Sequence, residues 1–373
     1  MALDRNLEGV VARANRAFSN RASELAEAPF EISARRYLDP EFFQRELSLF
    51  RAGPVPLAPL GLWRTTGFFP VEGNLREGLL LTGSPEHEPR VIANRCRHRA
   101  ARILDKEACE KKIVACPYHG WTYDMDGKLC SVFGKEHGLT GLEDVRLDSY
   151  PATKAGGFVW TTLTGEQRSL HSGLEELDTE LSWLGVETPR LVEEFELECA
   201  FNWKLGVEAF LEVYHFKTAH RVTLPNLENY NIALFDFSPR LTRITVPLKE
   251  VDKLTRDSLQ ESCHFMYFVF PNHFFLMFKG HFGWLSILPE TVERSRLRYR
   301  GHTFVDSAPE ELVEKARQSV RFLKTVDAED VAICGTIQRN LRASDRFKFT
   351  RYEPAIQRFH WRLESELGGT VLI

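Results

Sequence analysis

Asn-Trp-Lys-Leu-Gly-Val-Glu-Ala-Phe-Leu-Glu-Val-Tyr-His-Phe-Lys-Thr-Ala-His, residues 202–220, is the stretch of the sequence that decides the fold. On one regular helix, Glu208, Glu212 and His215 would fall at positions i, i+4 and i+7 and share one face. The other positions are mostly apolar, which predicts that the helix is buried. Burying two carboxylates and an imidazole costs roughly several kcal/mol unless these groups are paired or bind a metal.

His220 limits what this stretch can do. It lies five residues after His215, about 140° further round a regular helix, so both imidazoles can bind one metal only if the helix ends or distorts between them. The stretch therefore leaves two interpretations open: a metal site, or a buried carboxylate–histidine network that only stabilises the core.

The composition is that of a globular protein. Of 373 residues, 43% are hydrophobic and 27% are charged, and a chain of this length is expected to form two or three domains. The net charge of −4 gives no reason to expect nucleic acid or a membrane as a partner. No apolar run approaches the ~18 residues that span a bilayer, and the N-terminus has no basic segment followed by an apolar core. We therefore expect a cytoplasmic protein whose seven cysteines are reduced.

The sequence divides into three regions. Residues 1–45 carry apolar residues at helical spacing, and Asp39-Pro40 is expected to open a second short helix. Residues 46–165 contain short apolar runs at 78–81, 91–93, 112–115 and 158–161, separated by turn residues, which predicts an all-β unit. Residues 166–373 combine the stretch at 202–220 with antiparallel strands between 225 and 305 and with a helix that starts at Pro309. We expect these strands to pack against the helices and to form one wall of a pocket.

Two loops of the β region each present one cysteine and one histidine. The first holds Cys96 and His98, and the second holds Cys116 and His119 within Cys-Pro-Tyr-His-Gly-Trp. Zinc accepts two thiolates and two imidazoles, but common zinc spacings pair cysteine with cysteine and histidine with histidine. A Rieske [2Fe–2S] cluster has two thiolates on one iron and two imidazoles on the other, which two mixed loops supply directly.

With both motifs in this order, the sequence resembles the oxygenase (alpha) subunit of the Rieske non-haem iron oxygenases from about residue 38 to 345. The resemblance implies an α+β fold, with an all-β Rieske domain at 46–165 and a catalytic domain at 166–373. In that catalytic domain helices pack on an antiparallel sheet, similar to the START/Bet v1 helix-grip fold, and residues 1–45 pack on it. The resemblance also implies that Cys96, His98, Cys116 and His119 hold a [2Fe–2S] cluster.

The same resemblance implies that His215 and His220 bind a mononuclear Fe(II). A carboxylate would be the third ligand and would leave open positions for O₂. Asp327 and Asp330 both interrupt the apolar stripe of the helix predicted after residue 309. In the family the ligand belongs to an acidic pair, here Glu329-Asp330, so we predict Asp330 as the ligand and keep Asp327 as the alternative.

Glu212 departs from most of the family, which has aspartate at this position. The resemblance implies that Glu212 bridges two subunits, accepting from His119 of a neighbouring subunit and from its own His215. The form Leu-Glu-Val-Tyr-His is similar to the branch that includes carnitine and glycine betaine oxygenases. Glu208 occupies the family's second acidic position, where either a catalytic role or a buried structural role is open.

The resemblance implies the terminal oxygenase component of a multi-component enzyme, assembled as a homotrimer. It would use O₂, and electrons from a separate NAD(P)H-dependent reductase of flavin or ferredoxin type, to hydroxylate or N-demethylate a small molecule. The Glu212 branch favours a quaternary ammonium such as betaine, carnitine or choline. Aromatic residues at 265–282 would suit a cation–π cage or simply fill a core, so an aromatic or polycyclic substrate stays as the alternative.

Two further classes of protein remain open alternatives. One is an electron-transfer protein that uses only the cluster, and the other is a non-enzymatic zinc protein. Lone histidines in the strands are expected to be core or surface residues rather than ligands; these are His264, His273 and His281.

Overall fold

The computed structural model describes residues 7–134, 140–164, 170, 174–224, 232–248 and 253–368. The chain forms two compact units, Phe50–Arg190, here called the β unit, and Met1–Leu49 with Leu191–Ile373, here called the α+β unit. Of the described helices, none is long and apolar enough to cross a membrane.

The described helices are given in chain order. They are α1 (Leu7–Asn20), α2 (Arg35–Leu38), α3 (Pro40–Ala52), α4 (Leu174–Trp183), α5 (Trp203–Phe210), α6 (Phe216–Ala219), α7 (Leu259–Ser262), α8 (Glu310–Asn340) and α9 (Pro354–Glu366).

The strands follow the same order. They are β1 (Phe30–Ser33), β2 (Val55–Pro59), β3 (Gly67–Glu72), β4 (Gly78–Gly83), β5 (Arg90–Ala93), β6 (Ala108–Cys109), β7 (Ile113–Ala115), β8 (Thr122–Asp124), β9 (Leu129–Ser131), β10 (Ser149–Tyr150), β11 (Ala152–Ala155), β12 (Phe158–Thr161), β13 (Arg190–Cys199), β14 (Leu234–Phe237), β15 (Leu241–Pro247), β16 (Cys263–Val269), β17 (His273–Phe278), β18 (His281–Thr291), β19 (Arg294–Thr303) and β20 (Arg346–Phe349).

The β unit contains three small antiparallel sheets. Their strand orders are β10-β5-β4-β3-β6, β11-β12-β2 and β7-β8-β9. Apolar side chains of β3, β4 and β5 meet those of the third sheet in one core, and that core also contains Cys96 and Cys116. The sheets therefore fix the starting points of both cysteine-and-histidine loops.

The β unit extends further along the chain than the boundary predicted at residue 165. Helix α4 packs on the turn between β11 and β12, where a Cβ atom built on Gly156 would lie 2.7 Å from Leu181 Cδ1. Because Leu181 and its neighbours pack on that turn, residues up to Arg190 belong to the β unit. On the N-terminal side the unit begins at Phe50, a few residues after the predicted boundary at 45.

The α+β unit is built on a seven-stranded antiparallel sheet with the order β13-β19-β18-β17-β16-β15-β14. Two glycines allow helices to approach this sheet closely. A Cβ atom on Gly206 of α5 would lie 3.1 Å from Ile287 on β18, and one on Gly301 of β19 would lie 2.1 Å from Val320 on α8. Larger residues at these positions would push away α5, which precedes the segment with His215 and His220, and α8, which carries Asp327 and Asp330.

The N- and C-terminal segments close the unit behind α5. Strand β1 pairs with β20, and a buried ion pair joins Lys204 on α5 to Glu46 on α3, with Nζ–Oε distances of 2.6 and 2.8 Å. The indole of Trp203 donates to the same carboxylate at 2.8 Å, so the charges of this buried pair are hydrogen-bonded.

The predicted α+β class is confirmed, and so are several elements. The runs at 78–81, 91–93, 112–115 and 158–161 coincide with β4, β5, β7 and β12, and the helices predicted after Asp39 and Pro309 are α3 and α8. The antiparallel strands expected between 225 and 305 are β14 to β19, while residues 225–231 lie outside the described residues.

Candidate functional site

The two loops of the β unit have the same backbone closure. In each, the cysteine carbonyl accepts from the amide four residues later, at 2.9 Å after Cys96 and 3.0 Å after Cys116. In each, the cysteine N–H also donates to the carbonyl five residues later, at 2.8 Å. Both closures use a residue in the left-handed region, Ala100 with φ 59° and Gly120 with φ 68°. The loops therefore present their side chains in matching ways.

The four side chains of these loops differ in burial. Cys96 and Cys116 are buried, whereas His98 and His119 are exposed. The Nδ1 atoms of the two imidazoles face each other at 3.1 Å. Two nitrogen ligands that are each about 2.1 Å from one metal lie about 3 Å apart at near-tetrahedral or smaller angles. The residues therefore fit a cluster with its thiolate-bound iron inside and its imidazole-bound iron at the surface.

Aromatic and basic side chains surround the exposed imidazoles. The ring of Trp121 stacks on His98 with a centroid distance of 5.0 Å, and Arg97 is held by Asp148 at 2.7 Å. An open depression of about 880 Å³ lies beside the imidazoles, and Phe133 at its rim is 89% exposed.

The stretch at 202–220 is not one helix, so the predicted shared face of Glu208, Glu212 and His215 is wrong. Helix α5 ends at Phe210, and the short α6 follows with His215 and His220 as its two flanking residues. The carboxylate of Glu212 stabilises the break, because it accepts from the His215 backbone N–H at 3.2 Å and also bonds to the His215 ring at Nδ1. The spacing of the two histidines required a helix end between them, and α6 supplies it by ending at Ala219, directly before His220.

The break brings His215 and His220 next to Asp330 of α8. Ligand atoms of the three residues all lie within 4.8 Å of one another, and Asp330 Oδ1 is 3.6 Å from His215 Nε2 and 3.1 Å from His220 Nε2. Despite these short distances, both Nε2 atoms are buried and have no hydrogen-bond partner of acceptable geometry among the described residues. Two buried nitrogens aimed at one carboxylate oxygen are the arrangement that a divalent metal between them would satisfy.

A carboxylate holds the opposite nitrogen of each imidazole. Glu212 bonds to His215 Nδ1, and Glu329 lies 2.8 Å from His220 Nδ1 while also accepting from Thr223 Oγ1 at 2.7 Å. Both contacts leave Nε2 as the nitrogen that faces the metal position. Sequence reasoning singled out Glu212 but gave Glu329 no role, although the acidic pair with Asp330 was the available signal.

The carboxylates also change the protonation of His220. Burial lowers its pKa, but the adjacent carboxylates of Asp330 and Glu329 outweigh burial and raise the pKa to about 9. A metal that binds here must therefore displace a proton near neutral pH.

Asp327, the alternative ligand, lies outside the group that could hold a metal. It is buried, its Oδ2 has no hydrogen-bond partner in the described part of the chain, and burial together with the charge of Asp330 raises its pKa well above the usual range. A neutral carboxylic acid is a poor metal ligand, which favours Asp330.

Glu208 lies in a separate buried network. It accepts from the Tyr37 hydroxyl at 2.6 Å, and the ring of His360 on α9 lies 2.9 Å away. This environment agrees with the structural interpretation of Glu208. The strand histidines also have local partners: His273 lies 2.9 Å from Ser286 Oγ, and His281 contacts the Lys279 carbonyl.

Two separate parts of the chain each match a known protein family. Residues 69–147 match the Rieske [2Fe-2S] domain, and residues 186–369 match the ring hydroxylating alpha subunit (catalytic domain). The chain belongs to the Rieske non-haem iron oxygenases. The cofactors of this Rieske oxygenase are a [2Fe–2S] cluster and a mononuclear iron, and the donor sets described above fit both.

Individual relatives are similar to this chain at low sequence identity. The oxygenase subunit of glycine betaine monooxygenase from Chromohalobacter salexigens is 32% identical over 37% of this chain and 31% of its own length. Chloroplastic choline monooxygenase from Spinacia oleracea is 26% identical over 89% of this chain and 77% of its own length. The alignments span only about a third of the first curated relatives (31–38% of their length).

The fold of this chain also matches the folds of solved structures. The quaternary ammonium Rieske monooxygenase CntA, in complex with L-carnitine, superposes with a TM-score of 0.75 over 95% of this chain and 98% of that one. Sequence identity in this comparison is 16%, so the likeness establishes the shared fold alone.

Proposed function

We propose that the chain is the terminal oxygenase component of a Rieske system that oxidises a quaternary ammonium compound. The observation that carries the proposal is the convergence of the buried Nε2 atoms of His215 and His220 on one carboxylate oxygen of Asp330. An electron-transfer protein or a zinc protein has no need of this second donor set. Within the proposal, Cys96, Cys116, His98 and His119 are the cluster ligands.

The residues around the two sites have distinct tasks. When bound, the cluster supplies single electrons and the iron activates O₂. Glu212 and Glu329 hold the imidazoles of His215 and His220 in the tautomer that leaves Nε2 as the ligand atom. The buried surroundings of His220 exclude water from one side of the metal position.

A separate reductase of flavin or ferredoxin type is the proposed electron donor. The sequence contains no nucleotide-binding motif of its own, and Arg95, Arg97 and Arg99 surround His98 in the sequence, with Arg95 and Arg97 paired to Asp148. A basic surface favours association with an acidic protein and makes the rate depend on salt.

The proposed assembly is a head-to-tail homotrimer in which Glu212 links His215 to His119 of a neighbouring subunit. Exposed aromatic residues support a contact near both ends of this link. Tyr214 lies two residues after Glu212 and is 46% exposed, and its ring centroid lies 6.2 Å from that of Tyr352, which is 49% exposed. Tyr118 directly precedes His119 and is 54% exposed.

A mixing experiment tests this assembly. Subunits that lack a cluster ligand, His119→Ala, and subunits that lack an iron ligand, Asp330→Ala, are inactive alone. Transfer between subunits gives randomly mixed trimers about one quarter of normal activity, because half of the clusters and half of the iron sites are intact and they pair independently. Transfer confined to one subunit leaves every mixture inactive, which would refute the proposed link.

The proposed substrate class rests on the relatives, and aromatic side chains pack beside α5. The ring of Phe210, five residues before His215, lies 5.5 Å from that of Phe274, which in turn lies 4.7 Å from Phe268. Aromatic faces attract a quaternary ammonium by the cation–π interaction.

Coupled O₂ consumption tests the substrate and the enzyme class together. The protein, loaded with iron and sulfide and supplied with a reductase, is assayed with glycine betaine, choline and carnitine and with an aromatic panel of similar size. We expect product-coupled O₂ uptake with a methylammonium compound. Uptake coupled only to aromatic compounds would overturn the substrate class, and a chain that binds zinc without acid-labile sulfide would overturn the function.

A further inference from the structure

Three arginine side chains come together on helix α9. Arg358 and Arg362 lie four residues apart on this helix, and Arg240 lies in the turn between β14 and β15. One carboxylate oxygen, Glu366 Oε1, binds Arg362 Nη2 and lies 3.7 Å from Arg240 Nη2. We propose that these three arginines form a binding site for a small soluble dianion, a compound with a phosphate group or a similar doubly charged oxyanion. The site shares no residue with the two proposed metal sites.

The arginines occupy the side of α9 that faces away from the core. The opposite side of the helix is buried in the α+β unit through five residues, Ala355, Ile356, Phe359, His360 and Leu363. The side chains of Arg240 and Arg362 are 13% and 20% exposed. Their guanidinium groups are therefore largely shielded from bulk water, which strengthens their attraction for an anion, while a small solute can still reach them.

The cluster has more positive than negative charge. Glu366 pairs with both Arg240 and Arg362. Within the described ranges Arg358 has no acidic partner, and its Cζ atom instead lies 4.4 Å from the ring centroid of Trp361. Three guanidinium groups beside one carboxylate leave a surplus of two positive charges. A dianion would balance this surplus.

The arrangement is unfavourable as long as no ligand neutralises it. Like charges four residues apart destabilise a helix. Burial lowers the pKa of Arg240 and of Arg358, and the charge of Arg362 lowers both pKa values further, while Glu366 opposes these effects at Arg240. In addition, the Nε atom of Arg362 is buried and has no hydrogen-bond partner among the residues that the structure describes. A buried guanidinium donor without an acceptor indicates a ligand that supplies one.

Stabilisation of the helix end does not account for these arginines. Cationic side chains near a helix C-terminus stabilise it by bonding to the last carbonyl groups. In α9 this contact is made by Arg45 of α3, whose Nη2 donates to the Leu367 carbonyl at 2.8 Å. The side chains of the three arginines make no such contact in the part of the chain that the structure describes.

The chemistry of the guanidinium group fits an oxyanion. Its planar fork of N–H donors matches two oxygens of a carboxylate or a phosphate, and hydrogen bonds between charged groups are stronger than those between neutral ones. Arg362 is the central member of the cluster, because it shares Glu366 with Arg240 and its charge acts on Arg358. Loss of the Arg362 guanidinium should therefore weaken anion binding by about tenfold or more.

Calorimetric titration of the full, metal-loaded chain with inorganic sulfate, a tetrahedral dianion, tests the proposal. Chloride keeps the ionic strength constant, so that general screening by salt does not contribute. We expect Arg362→Gln to weaken sulfate binding about tenfold or more, and Glu366→Gln to strengthen it, because the competing carboxylate is removed. Arg317→Gln is the control, since Arg317 pairs with Glu314 on α8.

The opposite signs of the two α9 variants separate a binding site from a purely structural cluster. If the arginines only stabilised the fold, Arg362→Gln and Glu366→Gln would both lower stability and neither would change sulfate affinity in opposite directions. Equal sulfate binding in the unaltered protein and in Arg362→Gln overturns the proposal. Binding to vesicles that contain phosphatidic acid, dependent on Arg362 and without any binding of sulfate, would overturn the assignment to a small soluble anion.

A measurement on the unaltered protein decides the matter if Arg362→Gln fails to fold. Phenylglyoxal modifies accessible arginines, and mass spectrometry of the digested protein gives the extent of modification at Arg358 and Arg362. We expect sulfate to protect these two residues, compared with chloride at the same ionic strength, and to leave the modification of Arg317 unchanged. Equal modification of Arg358 and Arg362 in both salts refutes the site.

Discussion

Glu329 offers a sharp test of the proposed iron site, because it orients a ligand without belonging to the ligand set. Its Oε2 lies 2.8 Å from His220 Nδ1 and accepts from Thr223 at 2.7 Å. Carboxylates in this position typically contribute 10–100-fold to metal affinity. The Glu329 side chain is 33% exposed, so water can replace part of its contact, and we place the expected loss at the low end.

We expect Glu329→Ala to weaken binding of a divalent metal roughly tenfold at pH 9. Glu329→Gln should lose less metal affinity, because the amide oxygen still accepts a hydrogen bond from His220 Nδ1–H although the negative charge is gone. The difference between the two variants therefore separates the orientation of the His220 ring from the charge next to it.

The loss should be smaller at lower pH. Glu329 is one of the groups that raise the pKa of His220 to about 9, and a metal must displace that proton. Below this pKa, removing the carboxylate weakens the binding of the competing proton to His220 as well as the binding of the metal, so the two effects on the apparent metal affinity partly cancel. We therefore expect the deficit of Glu329→Ala to grow from pH 6.5 to pH 9.

Anaerobic titration with Co²⁺ against a chelator of known affinity measures the change. Glu314→Gln is the control, since Glu314 lies on the same helix, has a side chain that is 45% exposed and pairs with Arg317 away from the site. The reasoning is refuted if Glu329→Ala and Glu314→Gln bind Co²⁺ equally well over the whole pH range.

Three further predictions concern stability, each measured as the free energy of unfolding in denaturant. Ala100→Gly should stabilise the protein by about 1 kcal/mol, because Ala100 has φ 59° where the matching loop has glycine; an unchanged or lower value would contradict this. Lys204→Met should cost about 3–5 kcal/mol by leaving the Glu46 carboxylate buried and unpaired, and Lys204→Met with Glu46→Leu should recover most of that loss; equal losses in both would refute the argument. Burial and the charge of Arg300 lower the pKa of His273 from its ordinary 6.5 to about 3. The free energy of unfolding should therefore fall as the pH drops from 6.5 to 3, by up to about 1.4 kcal/mol per pH unit. The His273→Asn protein should show a shallower fall over the same pH range.

The sequence predicted that the two cysteine-and-histidine loops follow strands, as they follow β5 and β7, because the signals for this are local. Cysteine and histidine two or three residues apart at strand ends need no distant partner to be recognised, and the helix after Pro309 follows from its proline and its apolar period. Asp330 was preferred over Asp327 only through the resemblance, since both lie on the same apolar stripe. The raised pKa of Asp327, which depends on its burial, is a property of the packed structure.

Other parts of the site depend on contacts that no local pattern records. The break after Phe210 follows an apolar sequence that continues the helical period, and it is stabilised by Glu212 bonding to His215. Glu208 finds its partners 171 and 152 residues away, in Tyr37 and His360. Neighbouring residues on a helix point about 100° apart, so a search for inward-facing positions finds Asp330 and passes over Glu329.

The two carboxylates that hold the iron histidines differ in a way that assigns them different tasks. Glu212 holds His215, whose side chain is 18% exposed, whereas Glu329 holds His220, whose side chain is 1% exposed. In the proposed assembly Glu212 is the carboxylate that links His215 to a neighbour, whereas Glu329 only orients His220. We expect Glu212→Ala to keep both metal sites loaded while cluster oxidation no longer leads to product, and Glu329→Ala to weaken metal binding while each loaded site still turns over. Single-turnover experiments that follow cluster oxidation and product in metal-replete protein separate the two, and normal product yield in Glu212→Ala would remove the reason for assigning it the link.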